Sequence, residues 1–238
     1  MTAANRISLQ EGRQLLAQCS LFRRFAPDER GALIAQAHIR KCAADETIFL
    51  MGSPGDSMMA VLCGNVRISV PSPDGKEIVL AMLGAGEIFG EVALLDGGER
   101  TADARATTES SLAVLERRDV LSFFERHPNA WPSVVEMLCE RLRSTDRQMA
   151  EVALLGLPVR LAKAMLRMAA VQNPTNGHCG AQIRLSQREL GNMVGATRES
   201  VNKCLREWQR KGIIRIAESL ITIVNRTALE DLAGSDAG

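Results

Sequence analysis

The sequence predicts an α+β chain in three parts: a jelly-roll-like β-roll behind short N-terminal helices, a long helix, and a C-terminal winged helix-turn-helix. Three observations carry this. From about residue 46, Val-, Ile- and Leu-rich stretches ("ETIFLMG", "MMAVLCGNVRISV", "KEIVLAML", "ADARATTESSLAVLE") alternate with Gly, Pro and Asp punctuation, the pattern of a sandwich or rolled barrel. Between residues 119 and 155 the chain returns to helix, with apolar residues at steps of four and three. After Pro158 two capped helices lead into an alternating apolar stretch. The parts fall at residues 1–130, 131–157 and 158–238.

Taken in order, residues 7–40 read as short helices, with Leu15, Leu16, Leu21, Phe22, Phe25, Leu33 and Ile34 between charged positions. Within the roll, "SPDGK" around Asp74-Gly75 is a hairpin turn, and Gly52, Gly55, Gly64, Gly84 and Gly86 suit bends of positive φ. On the long helix, Trp131, Val135, Leu138, Leu142, Thr145, Met149 and Val152 form a heptad seam. Such a seam pairs with a second copy of itself to give a homodimer, or else packs on its own domain. "LLGLP" then breaks the helix at Gly156 and Pro158 and places a hinge there, before a further helix over about 159–172. Ser186 and Glu189 form a capping box, Gly195 supplies a turn, and Thr197 caps a second helix closed by Gly212. "IIRIAESLITIV" folds back as the wing.

Bulk properties narrow the function. No apolar run spans a bilayer and no signal peptide precedes residue 30, so the expected location is the cytoplasm, with no membrane partner. Cys19, Cys42, Cys63, Cys139, Cys179 and Cys204 are scattered without a C-x-x-C, which argues for reduced thiols and against a metal site. From Pro158 onward 12 Lys and Arg face 7 Asp and Glu, a net +5, while the rest carries 17 against 21, a net −4. A basic third beside an acidic two-thirds fits a nucleic-acid module joined to something with another task.

The stretch "FGEVALLDGGERTADARA" carries the first site. Gly90-Glu91-Val92 can open a helical turn whose free amides attract an anion, and Arg100 can close on it with a bidentate guanidinium. Glu91 is a natural acceptor for a sugar hydroxyl, so one phosphate and one ribose hydroxyl would satisfy both side chains; the ligand inferred is a nucleotide. In the recognition helix, Arg198, Glu199 and Lys203 occupy one face of the first two turns, at spacings that suit the major groove of double-stranded DNA. Thr197 and Ser200 stand beside them, and Ser186, Gln187 and Arg188 grip the backbone.

"GDSMMAVLCGNVRIS", "FGEVALL" followed by "ERTADARA", and "GATRESVNKCL" together resemble the bacterial transcription regulators typified by the cyclic-AMP receptor protein and the fumarate-nitrate reduction regulator, over about residues 15–225. The resemblance implies a cyclic-nucleotide effector and no resident cofactor. Gly90 and Glu91 would hold the turn and the ribose hydroxyl, Arg100 the cyclic phosphate, Thr101 the phosphate or purine, and Thr145 the purine. It also implies TGTGA-like half-sites. Three positions depart from the family's cyclic-AMP members: Thr101 stands for serine, Thr145-Asp146 for a Thr-Ser pair, and Lys203 for arginine. Asp146 can accept from a guanine edge or an adenine amino group, so cyclic AMP is favoured with cyclic GMP as competitor. His38, His127 and His178 read as surface or core residues rather than heme ligands, and the N-terminal cysteine cluster of the iron-sulfur branch is missing. Residues 173–181 form a loop suited to RNA polymerase contact. The rival readings are a ligand-independent DNA-binding regulator and an enzyme acting on cyclic nucleotides; no H-x-x-x-H or D-x-D constellation supports the second.

Overall fold

A computed structural model describes residues 9–72, 77–172, 182–217 and 220–234. The expected turn at Asp74-Gly75, the loop 173–181 and its His178 and Cys179 lie outside the described residues. The chain divides into two compact units, one running to Pro71 and from Ala81 to Arg143, the other holding Ser72–Leu80 and the chain from Ser144 on.

In the first unit two four-stranded sheets make the roll. One has the order β1 (His38–Cys42), β8 (Ser110–Glu116), β3 (Ser57–Cys63), β6 (Ile88–Phe89); the other runs β2 (Thr47–Phe49), β7 (Asp103–Ala106), β4 (Val66–Pro71), β5 (Glu77–Leu83). β3 explains how the layers stack, because its side chains alternate between two cores. Met59 and Val61 join Phe89, Leu112, Val114, Ile48, Val66, Ala104 and Ala106 between the sheets. Met58, Ala60 and Leu62 join Ile88, Ala113 and Leu115 beneath helices α1 (Leu9–Ala17), α2 (Pro27–Ile34), α4 (Arg117–Arg126) and the start of α5 (Trp131–Leu154). Four of the six phenylalanines, Phe22, Phe25, Phe123 and Phe124, gather in that second core.

Three expectations need correction here. "HIRKC" is a strand rather than the end of the helical region: His38 to Cys42 pair in register with Val114 to Ser110. The return to helix at 119–155 is two helices, parted by a 3₁₀ turn at Pro128–Ala130, because proline has no amide hydrogen to continue α4. Gly55 and Gly84 do not have positive φ, whereas Gly52, Gly64 and Gly86 do. Gly55 is required instead for closeness, since an added Cβ would lie 2.2 Å from the Ala93 Cβ.

The second unit holds the end of α5, then α6 (Leu157–Gln172), β9 (Gln182–Arg184), α7 (Gln187–Val194), α8 (Arg198–Arg210), β10 (Ile214–Ala217), β11 (Leu220–Ile223) and α9 (Arg226–Gly234). Only Leu155 and Gly156 separate α5 from α6. Pro158 therefore does not break a helix; it sits in the first turn of α6, where a missing amide hydrogen costs nothing, and α6 starts two residues earlier than expected. The wing strands pair as predicted, Ile214 with Ile223 through Ala217 with Leu220, and β9 adds a third strand that the sequence pattern did not show.

Replacing Gly55 with alanine should destabilise the roll by about 1–3 kcal/mol through overpacking against Ala93. A lower urea midpoint at unchanged slope checks it.

Candidate functional site

The strand β6 ends at Phe89, and Gly90 turns the chain with φ 78° into the short helix α3 (Glu91–Asp96). An L-residue is strained there, and a Cβ would also lie 2.6 Å from Arg100 Nη1. Arg117 closes the other end of α3, its Nε donating to the Leu94 carbonyl at 2.8 Å, a cation at a helix C-terminus.

Arg100 is 4% exposed. Its Nη1 donates to the Gly90 carbonyl at 2.8 Å and its Nη2 to Ser57 Oγ at 3.1 Å. The Phe49 ring lies beneath the guanidinium, 4.3 Å from carbon to centroid. Every one of these neighbours is neutral, and Nε has no hydrogen-bond partner among the described residues. Burial lowers the arginine's pKa, while the charges of Asp56 and Glu91 act in the opposite sense.

Glu91 is 1% exposed, and here the structure corrects the picture of a lone carboxylate: Arg141 of α5 is ion-paired with its Oε1. Arg141 Nη2 also donates to the Ile88 carbonyl at 2.7 Å. Glu91 Oε2 is buried with no hydrogen-bond partner among the described residues. Nearby, burial raises the pKa of Glu87, opposed by the Gly84 amide, which donates to it at 2.7 Å, and by Arg141. One orphaned donor on Arg100 and one orphaned acceptor on Glu91 fit a ligand that offers an anionic oxygen and a hydroxyl. Val92 and Thr101 are exposed beside them. Thr145 and Asp146 are exposed on α5, one turn and slightly more beyond Arg141.

Along α5 the seam residues do not behave alike. Val134 and Met137 face the core beneath the roll, and Leu138 packs partly against it. Trp131 is stacked on Phe124 with centroids 4.4 Å apart. Val135, Leu142, Met149 and Val152 remain 54%, 61%, 68% and 54% exposed, an apolar row that this chain leaves uncovered.

In the second unit the capping box is formed as expected: Ser186 Oγ accepts from the Glu189 amide at 3.2 Å, and the Ser186 amide donates to Glu189 Oε2 at 2.8 Å. Thr197 Oγ1 accepts from the Ser200 amide at 3.2 Å and meets the Ser200 hydroxyl at 3.0 Å, so both hydroxyls serve the cap of α8. Gly191 lets the two helices close, since a Cβ would lie 2.7 Å from the Ala196 carbonyl oxygen. Arg198 borders a concavity with Ser186, Gln187, Arg188, Ile216 and Ile221, whereas Glu199 and Lys203 line a second groove with Asn202, Arg206, Gln209 and Arg210. At about 100° per residue, positions 198, 199 and 203 together span an arc of about 140° around α8.

Sequence reasoning missed Phe49 and Ser57 in the roll, Arg141 on α5, and the groove that Asn202, Arg206, Gln209 and Arg210 line on α8. The α8 residues recur at steps of three and four from Glu199, a signal present in the sequence. Phe49 and Ser57 reach Arg100 across more than forty residues of chain, which no local pattern encodes.

Comparison with known proteins agrees with this division. The cyclic nucleotide-binding domain family matches residues 39–127, and the Crp-like helix-turn-helix domain family matches residues 159–232. A "CRP-like cAMP-activated global transcriptional regulator" of Mycobacterium tuberculosis is 30% identical over 211 residues, covering 88% of this chain and 94% of that protein. The "Cyclic AMP receptor protein" of Thermus thermophilus is 30% identical over 213 residues, covering 90% and 96%. Among solved structures, a CRP-family transcriptional regulator from Thermus thermophilus matches with a TM-score of 0.70 at 29% identity, covering 84% of this chain and 98% of that one. The c-di-GMP responsive global regulator CLP of Xanthomonas campestris shares the fold, with a TM-score of 0.72 at 23% identity over 84% of this chain and 99% of that one.

Substituting Arg141 by methionine should strand the Glu91 carboxylate and destabilise the roll by about 1–3 kcal/mol. Urea unfolding of the variant beside the double variant Arg141→Met/Glu91→Gln checks it, the second being the more stable of the two.

Proposed function

The chain belongs to the family of bacterial transcription regulators typified by the cyclic-AMP receptor protein and the fumarate-nitrate reduction regulator, and from that premise we propose that it is a homodimeric regulator switched by a cyclic nucleotide. The family is one of DNA-binding regulators rather than enzymes. No helix among the described residues is long and apolar enough to cross a membrane.

The observation that carries the proposal is the pairing of orphaned groups in the cassette: Arg100 Nε, a buried donor, and Glu91 Oε2, a buried acceptor. A cyclic phosphodiester gives the first its anion, and a ribose hydroxyl gives the second its donor. In this reading Gly90 holds the turn, Val92 lies beside it, Thr101 meets the phosphate or the purine, and Thr145 with Asp146 reads the purine. Cyclic AMP is the favoured base, in keeping with the names of the relatives, and Asp146 keeps cyclic GMP in contention.

The exposed row Val135, Leu142, Met149 and Val152 supports pairing of α5 with a second copy, with Trp131, Leu138 and Thr145 completing the interface. Helix α5 begins in the first unit and ends in the second, so it is the element that reports occupancy of residues 1–130 to residues 158–238, through 131–157 and the short joint at Leu155-Gly156. DNA recognition falls to α8. Arg198 chelates a guanine, Glu199 accepts from a cytosine amino group, and Lys203 takes a further guanine or a phosphate in a TGTGA-like half-site. Ser186, Gln187 and Arg188 grip the DNA backbone, with Thr197 and Ser200 beside the base-reading residues. Linkage then makes ligand and operator reinforce each other equally. Contact with RNA polymerase is a further part of this reading.

Calorimetric titration with cyclic AMP and cyclic GMP, followed by gel shifts on a palindromic TGTGA operator, tests the proposal. Arg100→Gln should weaken nucleotide binding by about 10- to 100-fold through loss of charge-assisted hydrogen bonds. Arg198→Ala should lose about 1–3 kcal/mol of operator discrimination with nucleotide affinity in the absence of DNA unchanged. Full operator affinity without nucleotide would return the ligand-independent reading.

A further inference from the structure

Phe49 ends β2 at an irregularity. Thr47 pairs with Arg105 and Phe49 with Ala104, so two steps along β2 match one step along β7. In a regular strand Phe49 would point to the same face as Thr47, which is exposed, and opposite to Ile48, which is buried between the sheets. The extra residue brings Phe49 in beside Ile48, against the same core, and against Phe89 at 5.8 Å between centroids. Bulges of this kind forfeit regular pairing and re-aim a side chain, and they concentrate beside functional sites.

What the bulge aims at is Arg100. The guanidinium has two acceptors, Gly90 carbonyl on Nη1 and Ser57 Oγ on Nη2, and neither carries charge. The Phe49 ring covers one flat face at 4.3 Å. Packing alone would be served by leucine or methionine; only an aromatic ring presents a negative face to a desolvated cation. With one face stacked and both terminal nitrogens engaged, the edge that carries Nε is the one left without an acceptor among the described residues.

From this geometry we infer that Phe49 is a positioning residue for Arg100, holding the guanidinium so that its Nε edge is offered to an anionic oxygen of the ligand. The inference rests on the nucleotide reading of the cassette for the identity of that anion, but the positioning itself is a property of the protein. Ser57 contributes in the same sense: its oxygen accepts from Arg100, which leaves its own proton available to a neighbouring acceptor.

The test uses the full-length protein and three variants: Phe49→Leu, Phe49→Met and Phe49→Tyr. Calorimetry with cyclic AMP should show Kd raised about fivefold to thirtyfold in the two aliphatic variants and restored to within about twofold in Phe49→Tyr. Thermal midpoints are measured alongside, because a merely structural role would make Kd follow stability across all three. Nitrogen-15 spectra of the Arg100 side chain supply a readout that needs no nucleotide: its signals should be ring-current shifted in the wild type and in Phe49→Tyr, and released in Phe49→Leu. Wild-type binding that is unchanged by Phe49→Leu, or Arg100 signals indifferent to it, overturns the inference. Wild-type protein that binds no cyclic nucleotide while Arg100 still shows the shift overturns the nucleotide reading and leaves the positioning role standing.

Discussion

A guanidinium buried without a carboxylate partner in hydrogen-bond reach is the constraint around which the roll is organised. Taking a cation out of water is expensive unless oriented dipoles replace the water. Each local oddity of the roll supplies one. The left-handed turn at Gly90 presents a carbonyl, the start of β3 presents the Ser57 hydroxyl, and the irregular end of β2 presents the Phe49 ring. The tight approach of Gly55 to Ala93 and the Arg117 contact with the Leu94 carbonyl then fix α3 so that these groups keep their places. The opposite charge is managed separately, with Glu91 tied by Arg141 from α5.

That tie joins two parts of the chain that the sequence presents as unrelated. Arg141 lies in a run of charged residues flanking an apolar seam, where an exposed, solvated arginine is the ordinary expectation. Its guanidinium instead bridges the Glu91 side chain and the Ile88 carbonyl, although the side chain as a whole is 41% exposed. Further along α5 the second unit has its own brace, Glu151 meeting Arg167 at 2.9 Å and Lys163 at 3.8 Å, with Arg160 donating to the Val152 carbonyl. The joint at Leu155-Gly156 is therefore short in sequence and spanned by ionic contacts between α5 and α6.

What could be read from the sequence was whatever is written locally. Ser186 with Glu189 and Thr197 with its helix are caps encoded within four residues, and the Gly90-Glu91 and Arg100 spacing marks a turn, a helix start and a closing side chain. Strand β1 escaped because "HIRKC" is an edge strand with three partly or fully exposed polar positions, and only pairing with β8 makes it a strand. The break at Pro128 is legible in principle, yet the apolar periodicity on both sides of it suggests one continuous helix. Phe49 could not be placed at all, since its direction depends on a register slip that alternation cannot reveal. Along the seam the sequence pattern does not show which residues turn inward: Val134 and Met137, outside it, join the core beneath the roll, and Leu138, within it, packs partly against that core.

β3 is the strand that both hydrophobic cores share, Met59 and Val61 on one side, Met58, Ala60 and Leu62 on the other. Neither layer can loosen without dragging its neighbour, so the β-sandwich and its helical cover melt as a single cooperative body. A substitution at one of those five positions that suits one side shifts the backbone that the opposite side leans upon, so its cost is felt in both layers.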